Sequence, residues 1–93
     1  MIRSLRVKVA ELVLRGEYAK GFPANLMKTA RRKLEILNAA ESLNDLKSPP
    51  ANRLEFLKAD RAGQHSIRIN DQYRICFKWT PEGPHEVEIV DYH

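Results

Sequence analysis

The spacing of apolar residues changes once along this 93-residue chain. Between residues 8 and 39 apolar side chains recur every three or four positions, which is the period of an amphipathic helix. After Ser48-Pro49-Pro50, a sequence that stops any helix, they alternate as they do in strands. Since a chain of this length supports one modest core, residues 1–93 are predicted to form a single α+β domain.

The first half is predicted to contain a short strand and two helices. Ile2 to Val7 alternates loosely, as a first strand would, and a short amphipathic helix follows. A longer helix begins near Pro23, because proline is well tolerated in a first helical turn. Ser42 and Asp45 have the spacing of a capping box for one more short turn. The core-facing stripe of the longer helix is Leu26, Ala30, Leu34 and Leu37.

The second half is predicted to form a mostly antiparallel sheet. Its strands are expected at residues 52–58, 66–69, 73–79 and 86–92, separated by polar or proline-containing turns. The N-terminal strand and the two helices are expected to pack on one face of this sheet, leaving the other face polar.

The middle hairpin has a register that can be predicted. Only an odd loop length keeps the apolar residues of both strands on one face, because a slip of one residue turns every side chain over. A three-residue loop, Asn70 to Gln72, places Ile67 opposite Ile75. The same register places Arg68 opposite Arg74 on the polar face, which Lys78 shares. Like charges directly opposite each other are unfavourable, so we expect this pair to be compensated or bridged by an anion.

Positive charge is concentrated in the N-terminal third. Residues 1–36 carry nine basic and three acidic side chains, whereas residues 37–93 carry seven basic and nine acidic ones. A basic surface attracts polyanions such as nucleic acid. The alternative interpretation is a solvated helix face that only aids solubility.

Several classes of site and location are disfavoured by the sequence. His65, His85, His93 and the lone Cys76 do not have the spacing of a zinc site, and no phosphate-binding glycine loop or nucleophile elbow is present. We therefore expect neither a metal nor a cofactor. The absence of a long uncharged run predicts no membrane association, and one cysteine suits a reducing cytoplasm.

The remaining residues could support metal-free RNA cleavage. That reaction needs a base for the ribose 2′-OH, an acid for the leaving 5′-oxygen, and cations for the phosphorane. The sequence offers arginines on a polar sheet face and a terminal Asp91-Tyr92-His93. The alternative is that these three residues are simply a chain end.

A series of short motifs is spread along nearly the whole chain. In this order and combination they resemble the HigB toxins of the RelE-like superfamily. The motifs are Met1-Ile2-Arg3-Ser4, Arg53-Leu54, Leu57-Lys58, Asp60-Arg61, Gly63, Ser66-Ile67-Arg68, Asn70, Tyr73-Arg74, Phe77 and Asp91-Tyr92-His93.

The resemblance implies a RelE-like microbial ribonuclease fold and an endoribonuclease that cleaves mRNA on the ribosome, thereby inhibiting translation. It also implies a HigA-like helix-turn-helix antitoxin, whose complex with the toxin is expected to bind operator DNA. By position, the residues matching the family's catalytic site are Asp91, Tyr92, His93, Lys58 and Arg74. Arg61, Arg68 and Lys78 are expected to contact RNA.

One position departs from the family. Many HigB toxins have a catalytic histidine where this chain has Glu55. A glutamate can act as a base, but beside cations it suits the acid role less well. We therefore expect a mild toxin.

Two other functions stay open at this stage. ParE-like relatives share the fold class and inhibit DNA gyrase without being enzymes, and fold alone does not decide function. An RNA-binding module that does not cleave is the second alternative. The terminal Asp91-Tyr92-His93 with its aligned cations favours the endoribonuclease, because gyrase binding would not require them.

Overall fold

The computed structural model describes residues 1–5, 8–17 and 19–91. Two helices, α1 (Lys8–Leu14) and α2 (Met27–Ala39), precede a four-stranded antiparallel sheet in the order β1-β2-β3-β4. The strands are β1 (Glu55–Phe56), β2 (His65–Arg68), β3 (Tyr73–Thr80) and β4 (Gly83–Asp91). The predicted α+β class with a mostly antiparallel sheet is confirmed. None of the helices within these described ranges is long and apolar enough to cross a membrane.

The N-terminal segment lies alongside β4. Leu5 forms a parallel bridge with Val87, and the Val87 N–H donates to the Ser4 carbonyl at 3.0 Å. The Arg3 N–H donates to the Pro84 carbonyl at 2.8 Å. The predicted strand from Ile2 therefore appears as a single bridge in residues 1–5, and its last two positions lie outside the described residues.

The helices cover one face of the sheet, as predicted. The longer helix begins one turn later than Pro23, after a 3-10 turn at Ala24–Leu26. Its stripe faces the sheet and forms the core together with residues of β2 and β3. The fully buried members of this core include Val13, Leu34, Leu37, Ile67, Ile75 and Phe77.

The predicted capping box is present. The Asp45 carboxylate accepts hydrogen bonds from the backbone N–H groups of Glu41, at 2.9 Å, and Ser42, at 3.2 Å. The capping box begins a 3-10 turn at Leu43–Lys47, in which the Leu46 side chain is fully buried. The cap therefore anchors the chain between the helical half and the sheet.

The strand predicted at residues 52–58 is wrong over most of its length. Only Glu55–Phe56 pairs with β2, because Pro50–Asn52 forms a 3-10 turn and Arg53 adopts a left-handed conformation with φ of 44°. The Asn52 side chain turns inward to hydrogen-bond backbone carbonyls, which an extended strand would not allow. The alternation of apolar and polar residues in this segment therefore does not indicate a strand, since its first part belongs to a turn with Asn52 buried.

The predicted register of the middle hairpin is confirmed. Ile67 pairs with Ile75, and Arg68 pairs with Arg74. The final strand starts earlier than predicted, at Gly83, because Gly83 and Pro84 pair with Thr80 and Trp79 at the end of β3. Its predicted last residue, number 92, lies outside the described part of the chain.

Candidate nucleic-acid interface and active site

A polar pocket lies on the sheet face away from the helices. Its cavity is about 260 Å³. Five of the six side chains that line it are charged, and three of these are arginines. The lining residues are Arg53, Glu55, Arg68, Asn70, Asp71 and Arg74.

The hairpin register brings two of these arginines together. Arg68 and Arg74 occupy directly opposed positions on β2 and β3. Each has a different partner, since Arg68 pairs with Asp71, whose side chain is 99% exposed, whereas Arg74 is bound inside the protein. A fully exposed carboxylate is a weak partner, so Arg68 can exchange it for a phosphate oxygen. This arrangement relieves the repulsion that the sequence predicted.

Arg74 is fixed by several contacts and is only 9% exposed. Its Nε donates to Ser66 Oγ at 2.7 Å, and its Nη2 donates to the Arg53 carbonyl at 2.6 Å. The same Nη2 lies 3.8 Å from Glu55 Oε1. A planar guanidinium held in this way is preorganised for phosphate binding, because little side-chain entropy remains to be lost.

The loop between β2 and β3 contains an Asx turn. Asn70 Oδ1 accepts hydrogen bonds from the N–H groups of Gln72, at 3.0 Å, and Tyr73, at 2.7 Å. This arrangement is the usual way for asparagine to replace backbone hydrogen bonds in a tight loop. It holds the loop that carries Asp71 beside Arg68.

Glu55 supplies a carboxylate at the rim of the pocket. It pairs with Ser66 across β1 and β2, and its side chain is 54% exposed. A carboxylate that is accessible to solvent and next to arginines can accept a proton from a bound hydroxyl group. The pocket thus combines anion-binding groups with a candidate base.

Two of the predicted cations meet in this pocket, and three lie elsewhere. Arg68 and Arg74 line it, whereas Lys58 is exposed next to the 3-10 turn at Ala59–Arg61. Arg61 forms an ion pair with Glu88 at 2.5 Å, and Lys78 forms one with Glu86 at 2.8 Å. Sequence position alone did not reveal which cations already have a carboxylate partner.

Asp91 lies on the opposite face of the sheet from Arg74. It pairs with Tyr73 across β3 and β4, and it accepts a hydrogen bond from Gln72 Nε2 at 3.1 Å. With Phe22 and Tyr73 it lines a second cavity of about 280 Å³. The structure therefore does not bring Asp91 together with Arg68 and Arg74, and its predicted catalytic role stays a prediction. The other two residues of the predicted cluster, Tyr92 and His93, lie outside the described residues.

A buried cysteine lies behind the pocket on the same sheet face. Cys76 is fully buried between Ser66 and Glu88 in neighbouring strands. Burial raises the pKa of its thiol, and Glu88 raises it further, while Arg61 and Arg74 act in the opposite direction. The thiol is therefore neutral and inaccessible, which makes it unsuitable as a nucleophile.

Four residues in or near the site were not predicted from the sequence. Arg53, Asn70 and Asp71 line the pocket, and Lys33 of α2 is buried and hydrogen-bonds Asn52, the residue before Arg53. The three-residue loop contained a usable signal, because asparagine at its first position favours an Asx turn. Arg53 and Lys33 gave no such signal, since their placement depends on the 3-10 turn at Pro50–Asn52.

Comparison with known proteins identifies relatives of this chain. Residues 10–93 match the family model of HigB-like toxins, described as the RelE-like toxin of the type II toxin–antitoxin system HigB. Endoribonuclease HigB of Proteus vulgaris is 27% identical over the full length of both chains. Toxin HigB-1 of Vibrio cholerae is 47% identical over 58 residues, which are 62% of this chain and 61% of that protein.

Two further comparisons agree with these matches. An uncharacterized protein of Haemophilus influenzae is 45% identical over 64 residues, which are 69% of this chain and 63% of that protein. The matched segments thus span about three fifths of the Haemophilus and Vibrio relatives. A chain of the YoeB–YefM complex from Staphylococcus aureus has the same fold, with a TM-score of 0.62 at 17% identity over 100% of this chain and 95% of that one. Because the family model covers most of the sequence, the chain belongs to the HigB-like family of RelE-like toxins of type II toxin–antitoxin systems.

Proposed function

We propose that this toxin is an endoribonuclease that cleaves mRNA on the ribosome. The observation that carries the proposal is the pocket in which Arg53, Arg68 and Arg74 surround a cavity next to the Glu55 carboxylate. Support also comes from the Proteus relative, which is named an endoribonuclease and is similar over the whole chain. Cleavage of mRNA would inhibit translation in the cytoplasm.

The proposed reaction is an internal transfer of the phosphoryl group. A base removes the proton from a ribose 2′-OH, and the 2′-oxygen attacks the adjacent phosphorus. The bond from phosphorus to the 5′-oxygen breaks, and an acid protonates that oxygen. The products are a 2′,3′-cyclic phosphate and a free 5′-OH. The chain's own groups can perform each step without a metal.

The residues divide between charge stabilisation and proton transfer. Arg68 and Arg74 hold the scissile phosphate, and their guanidinium groups stabilise the extra negative charge of the phosphorane. Glu55 is the proposed base, since its carboxylate lies 3.8 Å from Arg74 at the rim. His93 is the proposed acid, because histidine exchanges protons near neutral pH.

Three more residues have supporting roles in this proposal. Tyr92 assists proton transfer or stacks on a base next to the cleavage site. Asp91 orients the hairpin loop through Gln72, consistent with their hydrogen bond of 3.1 Å. Lys58 is exposed, and we propose that it contacts the RNA backbone outside the pocket.

The first test is mRNA cleavage on programmed ribosomes, in a buffer whose only divalent cation is the Mg²⁺ that the ribosomes require. Wild type is compared with Glu55→Gln, with Arg74→Met, with a chain lacking His93, and with the exposed control Lys47→Met. We expect cyclic-phosphate ends from wild type and the control. We expect losses of about a hundredfold or more from the two site substitutions and from removal of His93. Full activity of Glu55→Gln would remove Glu55 from the mechanism.

Wild-type inactivity would favour one of the two alternatives. If wild type binds single-stranded RNA but leaves it intact, the protein is an RNA-binding module. If it neither binds nor cleaves RNA, inhibition of DNA supercoiling by gyrase is the next measurement. A ParE-like inhibitor would block supercoiling at concentrations that leave translation unaffected.

A toxin of a type II system has an antitoxin as its partner. We propose that this antitoxin is a HigA-like helix-turn-helix protein and that the complex binds operator DNA. The excess of positive charge in residues 1–36 favours fast association with an acidic partner surface. Co-purification of the adjacent gene product, followed by a gel shift with the promoter, tests both parts.

A further inference from the structure

A lysine of helix α2 is buried against Asn52, the residue that precedes Arg53 of the polar pocket. Lys33 is only 7% exposed, and its Nζ donates to Asn52 Oδ1 at 2.5 Å. Burial lowers the pKa of Lys33, and the positive charges of Arg32 and Arg68 lower it further. A buried cation with cationic neighbours costs stability, so its presence needs an explanation beyond packing.

Asn52 transmits this contact to the backbone. It is fully buried, and its Nδ2 donates to the Leu46 carbonyl at 3.2 Å and to the Ser48 carbonyl at 3.3 Å. One side chain thus connects α2 with the two short turns that precede β1. Because all these groups are fixed, the backbone after Asn52 has a defined position.

The residue that follows completes the connection to the pocket. Arg53 is left-handed, with φ of 44°, and its carbonyl accepts Arg74 Nη2 at 2.6 Å. Its own side chain lines the pocket. Displacement of Asn52 would therefore move both the carbonyl that orients Arg74 and a second guanidinium of the pocket.

We infer that Lys33 and Asn52 are a buried pair of positioning residues, which fixes Arg53 and thereby the orientation of Arg74 in the phosphate pocket. This inference rests on the proposed function only for its activity readout. Neither side chain touches the substrate, so neither is a catalytic residue. The stability that the buried cation costs is offset by a preorganised anion site.

The test compares Lys33→Met, Asn52→Leu and the double variant with Lys47→Met, an exposed lysine treated in the same way. We expect ribosomal mRNA cleavage to fall about tenfold to a hundredfold in each single variant, since small displacements in a site are costly. If the two residues act through one contact, the double variant should cleave mRNA as fast as the less active of the two single variants. A loss in the double variant equal to the product of the two single losses would overturn the pairing.

Two further readouts separate positioning from general instability. In Lys33→Met the gain from removing the buried charge offsets the lost hydrogen bond to Asn52, so the melting temperature should stay near that of wild type although cleavage falls. The NMR signal of the Arg74 Nε–H, which hydrogen-bonds Ser66, should shift in Lys33→Met and stay in place in Lys47→Met. An unchanged Arg74 signal with normal cleavage would overturn the inference.

Wild-type protein supplies an independent measurement. We would titrate it with a fully 2′-O-methylated single-stranded RNA oligonucleotide, which has no 2′-OH to react. The side-chain signals of Arg74 and Asn52 should shift with the same midpoint. If Arg74 responds and Asn52 does not, the inference fails, even if Lys33→Met does not fold. Binding without any cleavage of natural RNA would refute the proposed function and leave the positioning pair intact.

Discussion

Arg74 is the side chain on which the pocket depends most. Its guanidinium uses its fork geometry to contact Ser66 and the Arg53 carbonyl simultaneously, and it remains next to Glu55. A lysine ammonium has the same charge but is a single point on a flexible stem, so it cannot make these contacts together. Substitution of Arg74 by lysine therefore separates the contribution of the positive charge from that of the guanidinium geometry.

We expect Arg74→Lys to reduce ribosomal mRNA cleavage by about a hundredfold, although the net charge is unchanged. Loss of a charged hydrogen bond to a buried partner should also lower the free energy of unfolding by about 2 kcal/mol. Cleavage rates and urea unfolding measure the two effects. Arg15→Lys is the matched control, because Arg15 is exposed and pairs with Glu11 and Glu17. Equal behaviour of the two variants would contradict the argument.

His65 makes stability depend on pH. It lies between the rings of Phe56, at 5.0 Å, and Phe77, at 6.1 Å, and burial lowers its pKa from the ordinary 6.5. In the described part of the chain its buried Nδ1 has no hydrogen-bond partner. The unfolded chain therefore binds a proton more readily than the folded chain between the lowered pKa and 6.5.

Stability should accordingly decline as pH falls through 6.5 towards the lowered folded pKa of His65. His65→Phe keeps an aromatic ring but cannot titrate, so its melting temperature should decline less between pH 7.5 and pH 5. Thermal unfolding across that range, with His85→Phe as a second histidine control, measures the difference. Parallel curves for wild type and His65→Phe would mean that the histidine is not responsible.

The elements that the sequence predicted best are those with a single strong constraint. The stripe on α2 and the register of β2 and β3 followed from burial of one face, since any slip would expose several apolar side chains. The segment from Asn52 to Lys58 was misread because alternation is also compatible with a turn. Its conformation depends on hydrogen bonds from Asn52 to distant carbonyls, which no local pattern reveals.

The candidate site was likewise predictable only in part, where strand register alone places its residues. Arg68 and Arg74 were placed together by register alone, whereas Arg53 entered the pocket through the misread turn. The ion pairs that occupy Arg61 and Lys78 involve carboxylates of β4. These pairings depend on strand order and on the bulge after Cys76, and neither can be read from spacing.

The start of β4 is held close to the N-terminal segment. Gly83 has φ of 125°, and a Cβ at this position would overlap the Met1 carbonyl oxygen. We expect Gly83→Ala to lower the free energy of unfolding by about 1–3 kcal/mol, through both backbone strain and displacement of the segment. Urea unfolding measures the loss.

Gly63→Ala is the matched control for this prediction. Gly63 also has a positive φ, of 90°, but a Cβ there would meet nothing within 4 Å. Its substitution reports the backbone strain alone, so the excess loss in Gly83→Ala reports the contact with Met1. Equal losses would show that packing of the N-terminal segment contributes nothing measurable.

Part of the excess positive charge of residues 1–36 lies on the exposed side of helix α2. The exposed cations of α2 lie on the side of that helix away from the core, and the set comprises Lys28, Arg31 and Arg32. Arg32 on this helix and Arg68 in the pocket both lower the pKa of Lys33, so their positive charges act on the same group. A polyanion that is attracted by the charge of the helix is therefore also attracted by Arg68.

RNA affinity should then depend on salt according to which cations are free to meet phosphate. Arg68 can exchange the exposed Asp71 for phosphate, so Arg68→Met should reduce the slope of log affinity against log salt by about 0.7. The double substitution Arg61→Met with Glu88→Met removes a cation together with its ion-pair partner, so we expect the slope to stay unchanged. Fluorescence anisotropy with the 2′-O-methylated oligonucleotide, from 50 to about 300 mM salt, measures both slopes within the range where counterion release is linear. A smaller slope for the Arg61 and Glu88 pair, with no change for Arg68→Met, would move the RNA-binding surface from the pocket to the surface around Arg61.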